Sequence, residues 1–431
     1  MTTRFEREHT LIRRIYTEAL LAVAPRRAVV AALHDLDGEL EPDGRLIVIA
    51  IGKAAPAMAQ GARDVLGDRI THGIILTKHG HLDAPVSGFD AFEAGHPIPD
   101  DDGARATRTI IDTVSDLSAD DAVLALVSGG GSALLELPRE PLTLADMQAT
   151  TRLLLHAGAG IHELNAVRSL LSQVKGGGLR RIIGPARCIS LLLSDVLGND
   201  PSVIASGPTI PTDLSSERAR AIVDRFGVED RLPIAVRRFL SEDIELMDAP
   251  QAAEGDICRV IADNATLLAE MERLFQQEGL STAVAWRDFA GDATDLGHRL
   301  VADASAAEAG VDVLLGGGEA TVEVTGDGVG GRNTEAALVA AIDLDRSGAP
   351  WVIASLATDG QDGASDATGA IADPDTIERA RRKDVDAASS LHENDSATFF
   401  ARSGGLVTTG PSGTNVNDVY VAMRARREDL P

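Results

Sequence analysis

The stretch from Leu124 to Leu134 reads LALVSGGGSAL, and it decides the interpretation of the chain. An apolar run of strand type ends at Val127, and a predicted helix begins at Ala133. Between them, three consecutive glycines allow successive backbone N–H groups to surround an anion, and a helix N-terminus adds unpaired donors. The pattern predicts a phosphate-binding loop, and a strand-to-helix turn without a ligand is the alternative. The loop residues are Ser128, Gly129, Gly130, Gly131 and Ser132.

The length of 431 residues exceeds what one ordinary hydrophobic core accommodates, so we expect two domains. Hydrophobic residues make up 44% of the sequence, but no apolar run approaches the roughly 20 residues of a membrane span. Residues 1–23 mix both charge signs with helical periodicity, which is typical of a surface helix and not of a signal peptide. The cysteines, Cys188 and Cys258, lie in apolar runs, as buried thiols do. We therefore expect a cytoplasmic protein with no membrane partner.

The chain is strongly acidic, since 66 Asp and Glu residues against 40 Lys and Arg residues give a net charge of −26. Such a surface repels nucleic acids and anionic membranes, which excludes both classes of partner. We interpret the acidic surface as halophilic, because a salt-rich cytoplasm screens its self-repulsion. Lysine is nearly absent, so each lysine near a glycine loop becomes a candidate working residue. The lysines are Lys53, Lys78, Lys175 and Lys383.

Two more apolar strands end in polar residues. The run at residues 46–51 opens through Gly52 and Lys53 into a predicted helix, and the run Ile189–Leu193 ends in Ser194 and Asp195. Ligands of open α/β sheets bind at the carboxyl ends of the strands. The ammonium of Lys53 is therefore expected near a ligand. Asp195 suits a metal ligand or a base for a hydroxyl group, with an aspartate that caps the next turn as the alternative.

A polar stripe is predicted on the helix within LNAVRSLLSQVKGGGL. Asn165, Arg168, Ser172 and Lys175 are spaced by 3, 4 and 3 residues, which places them on one helical face ending at a triglycine. A solvated face is the ordinary explanation of such a stripe. We favour anion binding, because the stripe carries an arginine and one of the scarce lysines.

The second half of the chain restarts the alternation of strands and helices. A loose segment at residues 241–256 predicts a linker, so we expect an N-terminal domain at residues 1–240 and a C-terminal domain at residues 255–431. A second triglycine, Gly316–Gly318, is predicted to lead through a hairpin to a helix that opens at Arg332.

Polar loops after apolar strands recur along the whole chain. Glycine nests, a lysine, arginines and aspartates at one sheet edge match the needs of phosphoryl transfer, which requires phosphate donors, cations and carboxylates for Mg²⁺ or a proton. A Walker Gly-Lys-Ser/Thr, a serine–histidine elbow and a Cys/His metal cluster are missing from the sequence, and the first strand is not followed by a Gly-x-Gly-x-x-Gly dinucleotide loop.

Six motifs in chain order resemble the class II glycerate 2-kinases, whose C-terminal half is the MOFRL domain. The similarity extends from Gly52 to Val421. The motifs are LVSGGGSALLELP, LNAVRSLLSQVKGGGL, SLLLSDVLGNDPSVIASGPT, GGGEATVEV with GGRNTEAAL, ATDGQDGASDATGA and GPSGTNVNDVYV.

The resemblance implies Mg²⁺-dependent transfer of a phosphoryl group from ATP to the C2 hydroxyl of D-glycerate, which gives 2-phosphoglycerate. It also implies an α/β fold with two domains, an N-terminal Rossmann-like α/β/α sandwich and a C-terminal MOFRL-type α/β domain, with the active site in the cleft between them. The partners are then small molecules, and a homodimer is left open.

The resemblance assigns roles to individual residues. Lys53, Arg332, Asp195 and Asp359 match the family's active-site lysine, arginine and aspartates, and Asp195 and Asp359 are also the expected metal ligands. The loop Ser128–Ser132 is assigned to the ATP phosphates. The remaining expected ligand contacts are Lys175 and Asn415 for the nucleotide, and Asn165, Arg168 and Asn333 for the substrate.

Two residues depart from the family pattern: Asn199 stands where an aspartate is expected, and Thr334 replaces the usual glutamine after Arg332-Asn333. An NAD(P)H-dependent hydroxypyruvate reductase is the alternative enzyme, against which the missing dinucleotide loop argues. A small-anion sensor without catalysis on the same fold is the other alternative.

Overall fold

The computed structural model describes residues 4–36, 38–82, 84–242 and 255–425. Within them the chain forms two compact units. The first unit is Pro25–Ile261, and the second unit combines Met1–Ala24 with Ala262–Pro431. The predicted linker at residues 241–256 lies outside the described residues except at its two ends.

The first helix corrects the predicted domain boundaries, since it was assigned to the N-terminal domain but belongs to the second unit. Ile12, Ile15, Tyr16 and Ala19 recur at helical spacing and are fully buried. The hydroxyl of Tyr16 donates to the carbonyl of Ala357 at 2.7 Å. The helix is therefore part of the core of the second unit, which no local sequence pattern indicates.

Helices and strands alternate along most of the described chain. The helices are α1 (Glu6–Leu20), α2 (Pro25–Asp35), α3 (Ala55–Leu66), α4 (Asp101–Val114), α5 (Gly131–Leu134), α6 (Leu144–His156), α7 (Ile161–Leu171), α8 (Gly178–Ile183), α9 (Ser216–Arg225), α10 (Ile234–Ser241), α11 (Asn264–Gln277), α12 (Ala293–Ala306), α13 (Arg332–Ser347), α14 (Thr376–Arg381), α15 (Ala387–His392) and α16 (Ser396–Ser403). The strands are β1 (Leu46–Ile51), β2 (His72–Lys78), β3 (Phe89–Ala94), β4 (Ala122–Val127), β5 (Arg187–Leu193), β6 (Ile257–Ala262), β7 (Thr282–Asp292), β8 (Val313–Thr321), β9 (Trp351–Ala357), β10 (Gly369–Ala372), β11 (Leu406–Val407) and β12 (Asp418–Arg424).

The first unit is built on a sheet with the strand order β3-β2-β1-β4-β5-β6, in which β3 to β5 pair in parallel. Every residue of β1 and β4 is buried, as expected for strands covered on both faces. The strand order reverses between β1 and β4, and crevices for ligands form at such a switch point, beyond the carboxyl ends of the strands. The segments that follow these two strands are Gly52-Lys53 and the glycine loop.

The second unit has a mixed sheet with the order β11-β10-β9-β12-β8-β7. Strand β12 pairs antiparallel with both β8 and β9, so the start of β12 meets the ends of its two neighbours. Gly316–Gly318 lies inside β8, where a Cβ on Gly316 would come within 1.6 Å of the Trp286 ring. The hairpin predicted between the triglycine and the helix at Arg332 is wrong, because residues 322–331, which lie between β8 and α13, form no strand.

Within the part of the chain that the structure describes, every helix is too short or too polar to cross a membrane.

Candidate active site

The glycine loop after β4 forms a set of unpaired backbone donors. Gly130 has a φ of +84°, a left-handed conformation that favours glycine, and α5 starts at Gly131, two residues earlier than predicted. Among the described residues, the N–H groups of Gly129, Gly130 and Ser132 have no hydrogen-bond acceptor. Unpaired, converging N–H groups are the means by which such loops bind anions.

Three side chains lie close to this loop, and one of them leaves no room for a Cβ on Gly129. A Cβ on Gly129 would lie 2.1 Å from Oδ2 of Asp195, and a Cβ on Gly130 would lie 3.2 Å from both Cγ of Lys53 and Cδ2 of His96. The structure thus brings Lys53 and Asp195 together at the loop, as predicted from the ends of β1 and β5. His96 joins them from the segment after β3.

Lys53 is exposed, and among the described residues its side chain has no hydrogen bond or ion pair. Its backbone N–H donates to the carbonyl of Gly129 at 2.9 Å, which fixes the residue against the loop. The backbone is therefore held in place while the charge stays available to a ligand.

The hydroxyl of Ser128 is turned inward. It accepts from the N–H of Ala54 at 3.2 Å and donates to the carbonyl of Ile51 at 3.3 Å, and the residue is buried. Ser128 thus ties the segment after β1 to the segment after β4. Because its hydroxyl is used in these bonds, the glycines and Ser132 are the residues of the predicted loop that can face an anion.

Arg168, Ser132, Ser206 and Asn165 form one hydrogen-bonded network. Arg168 donates to both the carbonyl, at 3.2 Å, and the hydroxyl of Ser132. The Ser132 and Ser206 hydroxyls lie 2.7 Å apart, and Ser206 donates to Oδ1 of Asn165 at 3.1 Å. Burial lowers the pKa of Arg168, and Glu136 opposes that effect. Asn165 and Arg168 therefore position the loop.

His96 precedes Pro97 and lies beside Gly130 of the loop. Burial and the positive charge of Lys53 lower its pKa to about 4, so the imidazole is neutral near pH 7. A neutral imidazole beside Gly130 can accept or donate a hydrogen bond without adding charge to the site.

Lys175 does not lie on the predicted helical stripe, which is a correction. Helix α7 ends at Leu171 and Ser172 is extended, so the stripe does not continue to Lys175. The ammonium is fully buried and donates to the carbonyl of Leu135 at 2.9 Å and pairs with Glu136 at 2.9 Å. Burial lowers its pKa to about 8 against the opposing charge of Glu136. A buried carboxylate partner gives this lysine a structural role.

A second cluster surrounds Arg332 at the start of α13. Its guanidinium binds Asp418 with two hydrogen bonds, at 2.5 and 2.9 Å, and pairs with Glu319 at 3.1 Å. Burial would lower the pKa of Arg332, but the hydrogen bonds and charges of the two carboxylates raise it above its ordinary value. Burial raises the pKa of Asp418 to about 6, and Arg332 opposes this. Both groups are therefore charged at pH 7.

Asn333 and Thr334 support the start of α13 from inside. Asp362 accepts from the N–H of Asn333 at 2.8 Å and that of Thr334 at 2.7 Å, and Oδ1 of Asn333 accepts from Ser355 at 2.6 Å. Asn333 is 1% exposed. Its amide is therefore already used to hold the helix end, and its predicted substrate contact stays a prediction.

Asp359 and Asn415 lie half-buried at neighbouring chain segments of the second unit. Oδ1 of Asp359 accepts from the N–H of Gln361 at 3.0 Å, and its carbonyl accepts from Ser412 at 3.1 Å. Asn415 accepts from the N–H of Asn417 at 3.1 Å. Thr358, beside Asp359, donates to the carbonyl of Asn417, so the two predicted residues belong to one loop cluster.

Comparison with known proteins covers both units. A family model described as a domain of unknown function, DUF4147, matches residues 11–241, and the MOFRL family model matches residues 312–418. A D-glycerate 2-kinase of Thermotoga maritima is 38% identical over 95% of this chain and 96% of its own length. The chain belongs to the MOFRL family of glycerate kinases. The family membership predicted from the six motifs is confirmed.

Two further matches of the MOFRL family bear on the site. A crystal structure of a T. maritima glycerate kinase superimposes with a TM-score of 0.90 at 36% identity, covering 97% of this chain and 100% of that one. A putative hydroxypyruvate reductase of Agrobacterium vitis is 39% identical over 95% of this chain and 93% of its length. The two names belong to different reactions, so the choice between them depends on the chemistry of the site.

Four residues of the two clusters were not assigned from the sequence: His96, Ser206, Glu319 and Asp418. The last three lie inside the motifs that carry the family resemblance. Asp418 and Glu319 act through Arg332, and Ser206 acts through Ser132. Their contribution depends on contacts between strands, which spacing along the chain does not reveal.

Proposed function

We propose that this chain is a D-glycerate 2-kinase, which transfers the γ-phosphoryl group of ATP to the C2 hydroxyl of D-glycerate and releases 2-phosphoglycerate and ADP. The observation that carries the proposal is the exposed amine of Lys53 beside a loop whose N–H groups lack acceptors. A polyphosphate supplies the oxygens and the negative charge that this arrangement lacks. The T. maritima relative named D-glycerate 2-kinase supports the same activity.

Arg332 would bind the acid acceptor. Asp418 and Glu319 hold its guanidinium in one orientation, and 28% of the side chain stays exposed. An arginine presents five N–H donors, so donors remain for the carboxylate of D-glycerate. Asp359, in the same unit, would accept the proton of the C2 hydroxyl as the bond to phosphorus forms.

Asp195 suits a Mg²⁺ ligand, because its carboxylate lies against Gly129 of the proposed phosphate loop and Mg²⁺ prefers carboxylate and phosphate oxygens. The ion would neutralise part of the phosphate charge. Lys53 would supply a further positive charge to the phosphates, from the protein itself. Asp359 is the other aspartate that the sequence suggests for Mg²⁺, and it would hold the ion only if Asp195 were the base.

Hydroxypyruvate reduction is the competing activity, and it fits this site less well. A reductase binds a dinucleotide through Gly-x-Gly-x-x-Gly after the first strand. Here β1 is followed by Gly52-Lys53-Ala54-Ala55-Pro56. A lysine in this turn favours a phosphoryl group over a nicotinamide cofactor.

We also propose that the acidic surface serves a salt-rich cytoplasm. The net charge of −26 creates self-repulsion that salt screens. Unfolding by denaturant in dilute buffer and in molar KCl tests this idea. Equal free energies of unfolding in the two solutions would contradict it.

The deciding experiment measures ADP release on D-glycerate and NADH oxidation on hydroxypyruvate with the same preparation in molar KCl. We expect ADP release that depends on D-glycerate and stops with EDTA, and no NADH oxidation. NADH oxidation without ADP release would contradict the kinase activity and indicate the reductase activity instead. If neither reaction occurs while ATP binds, the small-anion sensor is the better description.

A further inference from the structure

We infer that a cavity beside the glycine loop in the first unit binds the adenine ring of ATP. The cavity has a volume of about 280 Å³ and lies among Pro97–Pro99, α6 and α7. This volume is close to the lower end of the roughly 300–1,000 Å³ of small-molecule sites. The inference rests on the proposed kinase activity only in naming ATP as the ligand.

The lining of the cavity suits a flat apolar ring. Most of its lining side chains are apolar, and two of these side chains are exposed to solvent. Ile98 is 56% exposed and Leu155 is 53% exposed. Exposed large apolar side chains around a concave surface are typical of ligand sites. D-Glycerate, which carries a carboxylate and two hydroxyls, would gain little from such walls. The apolar lining residues are Pro97, Ile98, Pro99, Met147, Leu155 and Leu164.

Two elements of the cavity wall also contact the proposed phosphate loop. Arg168 lines the cavity and donates to Ser132. His96, which lies beside Gly130, directly precedes Pro97 in the chain. One nucleotide could therefore have its phosphates at the loop and its base in the cavity, with Arg168 between them.

Gln148 gives the cavity a means to recognise adenine. Its Nε2 donates to the carbonyl of Pro99 at 2.7 Å. A carbonyl can only accept, so this bond fixes the orientation of the amide and leaves Oε1 as an acceptor. The exocyclic amine of adenine is a donor, whereas hypoxanthine has a carbonyl oxygen at that position. The site should therefore prefer ATP to ITP.

A second cavity of the first unit fits a base less well. It has a volume of about 100 Å³ and is lined mostly by polar side chains, including Asn165, Ser169 and Thr212. A purine ring would displace polar contacts there without gaining apolar ones.

The test fills the cavity from α6 with Thr151→Trp, because Thr151 is half-buried and lines the wall. Thr109→Trp is the matched control, since Thr109 is half-buried on α4 of the same unit and away from the lining. Calorimetry on the full chain measures the dissociation constants of ATP, ITP and tripolyphosphate, and kinetics gives the KM of D-glycerate.

In Thr151→Trp we expect the dissociation constant of ATP to rise by about tenfold or more, because the base loses its contacts. Tripolyphosphate binding and the KM of D-glycerate should stay within about twofold of wild type, and Thr109→Trp should match wild type throughout. Wild type should bind ATP about tenfold more tightly than ITP.

Unchanged ATP binding in Thr151→Trp would overturn the inference. An equal loss of affinity for ATP and for tripolyphosphate in this variant would also overturn it. Equal binding of ATP and ITP by wild type would overturn the role of Gln148. The binding measurements keep their meaning if wild type fails to phosphorylate D-glycerate, which would overturn only the proposed function.

Discussion

Lys53 and Arg332 are the two cations proposed for catalysis, and their surroundings are opposite. Lys53 stands exposed among backbone donors, and no carboxylate pairs with it among the described residues, although Asp195 lies across Gly129. Arg332 is held by Asp418 and Glu319, so that its charge is outweighed by two carboxylates.

The difference indicates which ligand each cluster can take. Unpaired N–H groups with an uncommitted amine gain most from a polyanion, which supplies both acceptors and charge. A guanidinium held by two carboxylates creates no excess of positive charge and instead offers directed donors. The first cluster therefore suits the triphosphate, and the second suits the hydroxyls and single carboxylate of the acceptor.

The largest effect is expected at Lys53. Lys53→Ala removes the exposed amine beside the glycine loop, and we expect kcat to fall by about 10³-fold with the fold intact. Initial rates of ADP release and a thermal melt measure the two quantities. Lys383→Ala is the matched control, because that amine binds a carbonyl in the second unit. A fall of less than tenfold would remove Lys53 from the chemistry.

Arg332→Lys keeps the charge but loses the double hydrogen bond to Asp418, so the direction of the donors is lost. We expect kcat/KM for D-glycerate to fall by about 10²-fold, with the dissociation constant of ATP unchanged. Arg346→Lys, at the other end of the same helix, should behave as wild type. Loss of ATP binding in Arg332→Lys would erase the distinction between the two clusters.

Lys175→Met tests whether the buried lysine is structural. It leaves Glu136 without its ion-pair partner in the interior, which we expect to lower the free energy of unfolding by about 3–5 kcal/mol. At a temperature where the variant is folded, its KM for ATP should equal that of wild type. Glu136→Gln in the same chain should restore part of the stability. A raised KM for ATP in the folded double variant would indicate that Lys175 contacts the nucleotide.

The smallest effect concerns His96, whose pKa of about 4 reflects burial first and Lys53 second. Lys53→Ala removes one opposing charge, so the pKa should rise towards its ordinary value while burial still keeps it below. NMR titration of the imidazole measures the shift. An unchanged pKa would mean that the amine of Lys53 lies farther from His96 than the structure has it.

The sequence was informative where function depends on residues next to each other in the chain. The apolar run before Ser128 and the glycines after it predicted both β4 and its loop, and strand ends alone predicted that Lys53 and Asp195 would meet there. Lys175 was misjudged because the spacing of the stripe assumed a continuous helix, and the chain becomes extended at Ser172. The internal hydrogen bonds of Asn333 could not be predicted, because its partners Asp362 and Ser355 are distant in sequence. The antiparallel pairing of β12 with β8 brings Asp418 and Glu319 to Arg332. The register of this pairing could not be predicted from any local sequence pattern.

The most direct test of the account is the identity of the phosphorylated product. Wild-type protein is incubated with ATP, Mg²⁺ and D-glycerate in molar KCl, and phosphorus NMR resolves the two phosphoglycerate isomers. We predict 2-phosphoglycerate as the product, with ADP in equal amount. Formation of 3-phosphoglycerate would contradict the proposed orientation of the acceptor, and absence of any phosphoglycerate would contradict the kinase itself.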